Sequence, residues 1–158
     1  MNVQIVTGDL LEQDVEVIVN AWNRNIIPWW LLLPQGVSGA IKRKGGIRPF
    51  IEVGRAGPIP LGGSVKTGPG RLGVKAIIHV AAINLLWRAS EFSIRESVRS
   101  AMMLVLVDRF KSVAFPVLGS GSGGYNAESA LNLMKDELSK IKGEAEVKIV
   151  RFGSRADA

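Results

Sequence analysis

No cysteine occurs among the 158 residues. That excludes disulfide staples and thiolate chemistry, and a soluble cytoplasmic protein is the simplest expectation. Histidine occurs once, at His79. With a single imidazole and no thiol, neither a zinc ligand set nor a Ser-His relay has its parts, so no metal and no cofactor is expected. His79 lies inside an apolar run and reads as a hydrogen-bonded core residue rather than a catalyst. Long apolar runs are missing too. The stretch from Ile26 to Leu33 is interrupted by Pro28 and falls far short of the roughly 20 residues that span a bilayer. The opening MNVQIVTGDL has no basic stretch ahead of an apolar core, so it does not read as a secretory signal. No membrane partner is expected.

What is present suits one packed core. Hydrophobic residues make up 47% of the chain and charged residues 22%, enough apolar surface to offset the conformational entropy of folding. A length of 158 residues fits a single domain over residues 1–158. The formal charge is +6, which favours an anionic partner, either a nucleic acid or a small phosphorylated ligand. The densest basic group, Lys42, Arg43, Lys44 and Arg48, has no interleaved aromatics and reads as a solvated helix end.

The apolar patterning alternates between strand and helix. Val3 to Val6, Glu16 to Val19, Val74 to Ala82, Ser112 to Leu118 and Glu146 to Phe152 are β-rich runs ending at polar or glycine-containing segments. Gly36 to Lys44 has apolar residues at helical spacing. Ser93 and Glu96 form a capping-box pattern ahead of Val98, Ala101, Met102 and Val105 on one helix face. Asn126 can cap a further helix with the stripe Ala130, Leu131, Met134, Leu138 and Ile141, and Gly143 stands where a left-handed stop is expected. At least five strands alternating with helices predict an α/β fold, a mainly parallel sheet covered on both faces. In such sheets ligands bind outside the carboxyl ends of the strands.

Two post-strand loops carry chemistry. Gly119-Ser120-Gly121-Ser122-Gly123-Gly124 lies between a strand and a capped helix. Glycines let backbone N–H groups approach an anion, and the helix adds its positive end, so a phosphate cradle is expected, with a flexible connector as the plainer alternative. The segment lacks the Lys-Ser/Thr ending of a Walker loop. The second loop runs from Asn20-Ala21-Trp22-Asn23 through the apolar stretch to Gln35-Gly36-Val37-Ser38-Gly39-Ala40. Its asparagines can orient sugar hydroxyls, and the N–H groups at Gly36 can meet a second phosphate oxygen.

Taken in order, these segments resemble the macrodomain family. The resemblance runs through Gly8-Asp9-Leu10, Val19-Asn20-Ala21-Trp22-Asn23, Gly36-Val37-Ser38-Gly39-Ala40-Ile41, Lys75-Ala76-Ile77-Ile78-His79, and Phe115-Pro116 to Tyr125, ending at Phe152. It implies a three-layer α/β/α fold with a central mixed, mainly parallel sheet, and ADP-ribose or a derivative as ligand, free or carried on an ADP-ribosylated protein. It also implies that Asp9, beside Leu10, accepts the adenine amine and that Phe152 stacks on the ring. Gly36, Val37, Ser38 and the loop Gly119, Ser120, Gly121, Ser122, Gly123, Gly124 would surround the diphosphate. Asn23 would meet the distal ribose as the candidate catalytic residue, and Tyr125 would close over that end. Taken alone, Asp9 has a plainer reading as a helix N-cap after the first strand, and Phe152 one as a buried strand residue.

The sequence departs from the pattern at one telling place. The hydrolytic branch of the family carries Asp where this chain has Ser38, and a neutral hydroxyl is a poor base near pH 7. Leu33-Pro34-Gln35 stand where some members have glycines. The apolar stretch Ile26 to Leu33, with Trp29 and Trp30, has three readings: cap of the cleft, core packing, or partner surface. The expectation is an ADP-ribose-binding domain that hydrolyses ADP-ribosyl esters slowly or not at all. The alternative is an RNA or poly(A)-binding module using the basic surface and an adenine pocket.

Overall fold

The computed structural model describes residues 1–31 and 36–153. The β-branched runs become β1 (Asn2–Gly8), β2 (Val17–Trp22), β4 (Ala76–Ala81), β5 (Ser112–Pro116) and β6 (Glu146–Phe152), joined by a short β3 (Ser64–Thr67). They form one sheet in the order β1-β6-β5-β2-β4-β3. Every neighbouring pair is parallel except β3 with β4, so the sheet is mixed and mainly parallel.

Helices cover both faces, as alternating side chains demand. Val17, Val19, Ile78, Val80, Val113, Phe115, Val147 and Ile149 meet the apolar stripes of α3 (Glu91–Val107) and α4 (Ala127–Ser139). Ile18, Ile77, Ala81, Ala114 and Val150 face Ile41 of α1 (Gly36–Gly45) and Phe50 and Val53 of α2 (Arg48–Arg55). Continuous apolar runs in the sequence are therefore two-faced strands.

Four local expectations need correction. β2 extends to Trp22, which places Asn20 within the strand. The cap of α3 is Ser90, whose hydroxyl accepts from Ser93 N while Ser93 Oγ accepts from Ser90 N. Serine at the third helical position completes the box as glutamate would, so Glu96 is not part of it. Asn126 caps α4 through Ser129 N at 3.0 Å, but α4 ends at Ser139. Gly143 is not left-handed; a Cβ there would lie 2.6 Å from the Leu106 side chain, so close packing on α3 is what calls for glycine. Finally, β3 and α2 are additional elements. α2 begins at Arg48-Pro49, where a missing N–H costs nothing.

Two buried ionisable groups are held in opposite ways. Glu137 of α4 is 2% exposed and accepts from Arg99 Nη2 at 2.6 Å and Arg95 Nη1 at 3.2 Å. Burial pushes its carboxyl up, but hydrogen bonds from Arg99 and Arg95 outweigh this and hold it below its usual range. His79 is wholly buried and edge-on to Phe50, and burial pushes its imidazole down from 6.5 to about 3. The unfolded chain therefore takes up a proton at His79 below about pH 6.5 that the folded chain refuses. Stability must fall as pH drops through that window, by at most about 1.4 kcal/mol per pH unit for one proton. Denaturant melts between pH 7 and 4.5 are expected to show this slope. His79→Gln should flatten it, and melts carried to lower pH should still show the acid-limb loss that the lowered carboxyl of Glu137 imposes.

Candidate functional site

Parallel pairing brings the carboxyl ends of β1, β6, β5, β2 and β4 to one edge, and the loops that follow them enclose a cleft of about 1190 Å³. This exceeds the roughly 300–1,000 Å³ common for small-molecule pockets. Strands stand about 4.8 Å apart, so the three steps from β6 to β4 make the cleft about 14 Å long between its ends. An extended ligand suits that shape.

At one end lie Asp9, Leu10 and Phe152. Phe152 is 93% exposed, so it is no core residue: the last position of β6 holds its ring at the rim of the cleft. Asp9 does cap the turn at Leu10–Glu12, accepting from Leu11 N at 2.9 Å through Oδ1. Its second oxygen, Oδ2, stands 3.7 Å from Lys44 Nζ and remains available to the cleft. The N-cap and ligand readings of Asp9 are compatible, because they use different oxygens.

The middle is backbone. Gly36, Val37 and Ser38, the first turn of α1, face the Gly119 to Gly123 loop that leads into α4. Gly119 has φ +80°, and a Cβ on it would sit 2.6 Å from Ala89 Cβ; only glycine fits. Its carbonyl accepts from Tyr125 N at 2.9 Å, which closes the loop on itself. Among the described residues none accepts from the N–H groups of Gly121, Ser122 or Gly123, three donors left to an anion beside a helix N-terminus. Gly121 has an ordinary φ and open space where a Cβ would be, so what glycine provides there is backbone access from the cleft. Gly124 and Tyr125 lie outside the lining; Tyr125 packs on the core beneath the loop.

At the far end stand Asn23, Ile83 and Trp87. Asn23 Oδ1 accepts from Asn25 N at 2.6 Å, which commits its oxygen to the turn and leaves its amide hydrogens to the cleft. Asn20, by contrast, is fully buried and turns inward, donating to His79 Nδ1 at 3.0 Å and accepting from Ser38 Oγ at 2.9 Å. It supports the cleft from below and does not meet a sugar directly. Trp87, which sequence reasoning missed, has φ 60°. That conformation is held by Asn84, whose Oδ1 accepts from Leu86 N at 2.9 Å and Arg88 N at 3.1 Å. The signal was available, since this loop too follows a parallel strand.

The basic group is not one solvated helix end. Lys42 is half-buried over Phe50, its Nζ 4.8 Å from the ring centroid, with Trp22 and Trp29 close by, and burial lowers its pKa. Arg43 and Lys44 line the cleft. The apolar stretch divides: Trp29 packs on α2 and the core, Leu31 lines the cleft and Trp30 is exposed. Leu33, Pro34 and Gln35 lie outside the described residues.

Two glycines of the Gly119 to Gly124 loop should respond differently to substitution. Gly121→Val is expected to melt with the parent. Gly119→Val should lose roughly 3 to 10 °C from overpacking and a forced left-handed φ. Thermal unfolding followed by circular dichroism distinguishes them.

Comparison with known proteins agrees with this geometry. The family model described as Macro domain matches residues 19–134. An uncharacterised protein of Aquifex aeolicus is 34% identical over 151 residues, covering 95% of this chain and 88% of its own. A protein of Citrobacter koseri named O-acetyl-ADP-ribose deacetylase is 32% identical over 151 residues, covering 87% of this chain and 81% of its own. A variant of the Oceanobacillus iheyensis macrodomain, solved with ADPR, superposes with a TM-score of 0.82 at 27% identity, covering 96% of this chain and 85% of the other. The glycine-lined cleft at the strand ends sits in a fold shared along nearly its whole length with these proteins, and this chain belongs to the Macro domain family.

Proposed function

We propose that the cleft binds ADP-ribose and that the protein hydrolyses ADP-ribosyl esters slowly, whether from O-acetyl-ADP-ribose or from an ADP-ribosylated protein. The observation that carries the binding half is the order of groups along the cleft. An aromatic ring and a carboxylate oxygen at Phe152 and Asp9 come first, then three unpaired N–H donors on the Gly119 to Gly123 loop opposite the start of α1, then amide hydrogens at Asn23. Base, diphosphate and sugar call for stacking, anion donors and hydroxyl partners in that order. Relatives named O-acetyl-ADP-ribose deacetylase and a similar macrodomain solved with ADPR support the same ligand. Two of the basic side chains that line the cleft are committed elsewhere, Lys44 to Asp9 and Lys42 to the aromatic rings, which disfavours a polynucleotide.

The catalytic half is weaker on chemical grounds. Asn23 presents donors and Ser38 is a neutral hydroxyl, so neither can take a proton from water as a carboxylate does; positioned bases contribute about 10² to 10⁴-fold.

Calorimetric titration with ADP-ribose, AMP and oligo(A) at two salt concentrations tests the ligand. ADP-ribose should bind one to one with little salt dependence, whereas steep salt dependence and a preference for oligo(A) would establish the RNA reading instead. Asp9→Asn keeps the cap but loses the charged acceptor and should weaken ADP-ribose about tenfold or more. Gly121→Val, folded as the parent is, should abolish binding. In single-turnover assays on O-acetyl-ADP-ribose the parent should be slow and Ser38→Asp faster. A fast parent inactivated by Asn23→Ala would show that Ser38 suffices.

A further inference from the structure

The polar side chains beneath the cleft form a chain with a direction, and residue 38 stands at its outer end. Ser38 Oγ lies 2.9 Å from Asn20 Oδ1, Asn20 Nδ2 lies 3.0 Å from His79 Nδ1, and His79 Nε2 lies 2.9 Å from Thr67 Oγ1. Asn20, His79 and Thr67 are buried. A neutral imidazole has one N–H and one bare nitrogen, so the chain can be closed in two ways. In the first, Thr67 gives its proton to the Gly68 carbonyl 3.0 Å away and accepts from His79 Nε2–H. His79 Nδ1 then accepts from the Asn20 amide, and Asn20 Oδ1 accepts the Ser38 hydroxyl. In the second every donor and acceptor is exchanged: Thr67 donates to Nε2, Nδ1–H donates to a turned Asn20 amide, and Asn20 Nδ2 donates to Ser38.

We propose that the chain runs inward, from Ser38 to the Gly68 carbonyl, so that Ser38 meets its ligand as a hydrogen-bond acceptor only. Asn20, His79 and Thr67 are the positioning residues that hold it so. The inward sense gives the Gly68 carbonyl a donor, and the hydroxyl hydrogen of Ser38 has only inward acceptors, Asn20 Oδ1 at 2.9 Å and the Ala21 carbonyl at 3.4 Å. Asn23, at the far end of the cleft, is committed the opposite way, its oxygen taken by Asn25 N and its hydrogens outward. A side chain that can only accept selects a group with a hydrogen to give, which is a free sugar hydroxyl or a water. An ester or ether oxygen has no hydrogen for Ser38. This part of the inference rests on the cleft holding ADP-ribose, whose distal sugar supplies such hydroxyls; the direction of the chain does not.

The same logic assigns a consequence to the residue type. A carboxylate at position 38 has no hydrogen to give Asn20 Oδ1, and two acceptors at hydrogen-bond distance repel. Asn20 must then turn its amide outward, and the His79 proton must stand on Nδ1 instead of Nε2. The character of residue 38 is thus read at an imidazole in the core.

His79 is the one histidine of the chain, so its ring nitrogens can be observed without ambiguity. Long-range ¹H–¹⁵N correlation spectra of the labelled full chain near neutral pH should show the Nε2–H tautomer in the parent and the Nδ1–H tautomer in Ser38→Asp. A parent in the Nδ1–H form overturns the inward direction, and this spectrum alone decides it if Ser38→Asp does not fold. The same tautomer in both folded proteins overturns the claim that residue 38 sets the direction. For the ligand, ADP-ribose and ADP are titrated against the parent and Ser38→Ala. ADP-ribose should weaken about three- to tenfold, the effect of one hydrogen bond, with ADP unchanged. Equal losses for both would place the partner of Ser38 on the diphosphate and overturn the sugar assignment. If the parent does not bind ADP-ribose at all, the proposed function fails, while the spectra still judge the chain.

Discussion

Parallel pairing of β2 with β5 on one side and β4 on the other is the constraint on which the rest of the molecule depends. A parallel neighbour cannot be reached by a tight turn, so the connections from β2 to β4, β4 to β5 and β5 to β6 cross over and cover the faces with helix. Both faces of β2 and β4 must then be apolar. The same geometry sends the five parallel strands out at one edge and starts α1 and α4 from that edge, so two helix N-termini converge where the loops emerge. The cleft is therefore a consequence of topology, and the glycines at 119 and 121 adapt a place that parallel pairing already provides.

Placing Asn20 and His79 in such a sheet carries a cost. An amide and an imidazole withdrawn from water lose several hydrogen bonds, and each group left unpaired would cost about 1 to 3 kcal/mol. Here Asn20 makes bonds through both its oxygen and its nitrogen, and both ring nitrogens of His79 are partnered. The sheet tolerates them because the chain is complete, and completeness is what makes it directional: no member can exchange donor for acceptor unless the others do the same. A buried apolar pair of similar volume would be no less stable. What it would lack is a means of fixing the orientation of a hydroxyl at the floor of the cleft.

Much of this was legible in the sequence, for reasons that also mark the limit. Periodicity revealed the long elements, because the stripe from Ala130 to Leu138 and the run from Val74 to Ala82 repeat a burial pattern over enough residues to stand out. β3 has four residues and α2 eight, too few for a period, and α2 opens on basic residues that suggest solvent. The capping box was displaced by three residues because Ser93 satisfies two patterns and the better-known glutamate lies after it. Phe152 was ambiguous in principle: alternation along β6 gives its side, but only the position where the sheet ends decides whether that side is core or cleft. Asp9 was ambiguous for the opposite reason, since a carboxylate has two oxygens and the cap, which uses one, does not exclude a ligand at the other. The polar chain could not be seen at all. Its members are 18, 59 and 12 residues apart along the sequence, and only the pairing of β2 with β4, the antiparallel β3 and the docking of α1 bring them together.

That difference in legibility bears on how Ser38 should be understood. Read from sequence, serine in place of aspartate is a lost base, a subtraction from a hydrolytic site. In the folded chain the hydroxyl has a hydrogen that a carboxylate lacks, and Asn20 Oδ1 accepts it. The substitution is therefore a change of polarity that extends from the cleft to Thr67. Restoring a carboxylate adds a base at the surface of this chain and at the same time imposes a different arrangement on three buried groups. The gain in proton acceptance must be set against whatever the reversed chain costs, including the donor removed from the Gly68 carbonyl. Neither the polar chain nor residue 38 can be altered without consequence for the other, and the hydroxyl at Ser38 is best regarded as the exposed end of a structure whose larger part is buried.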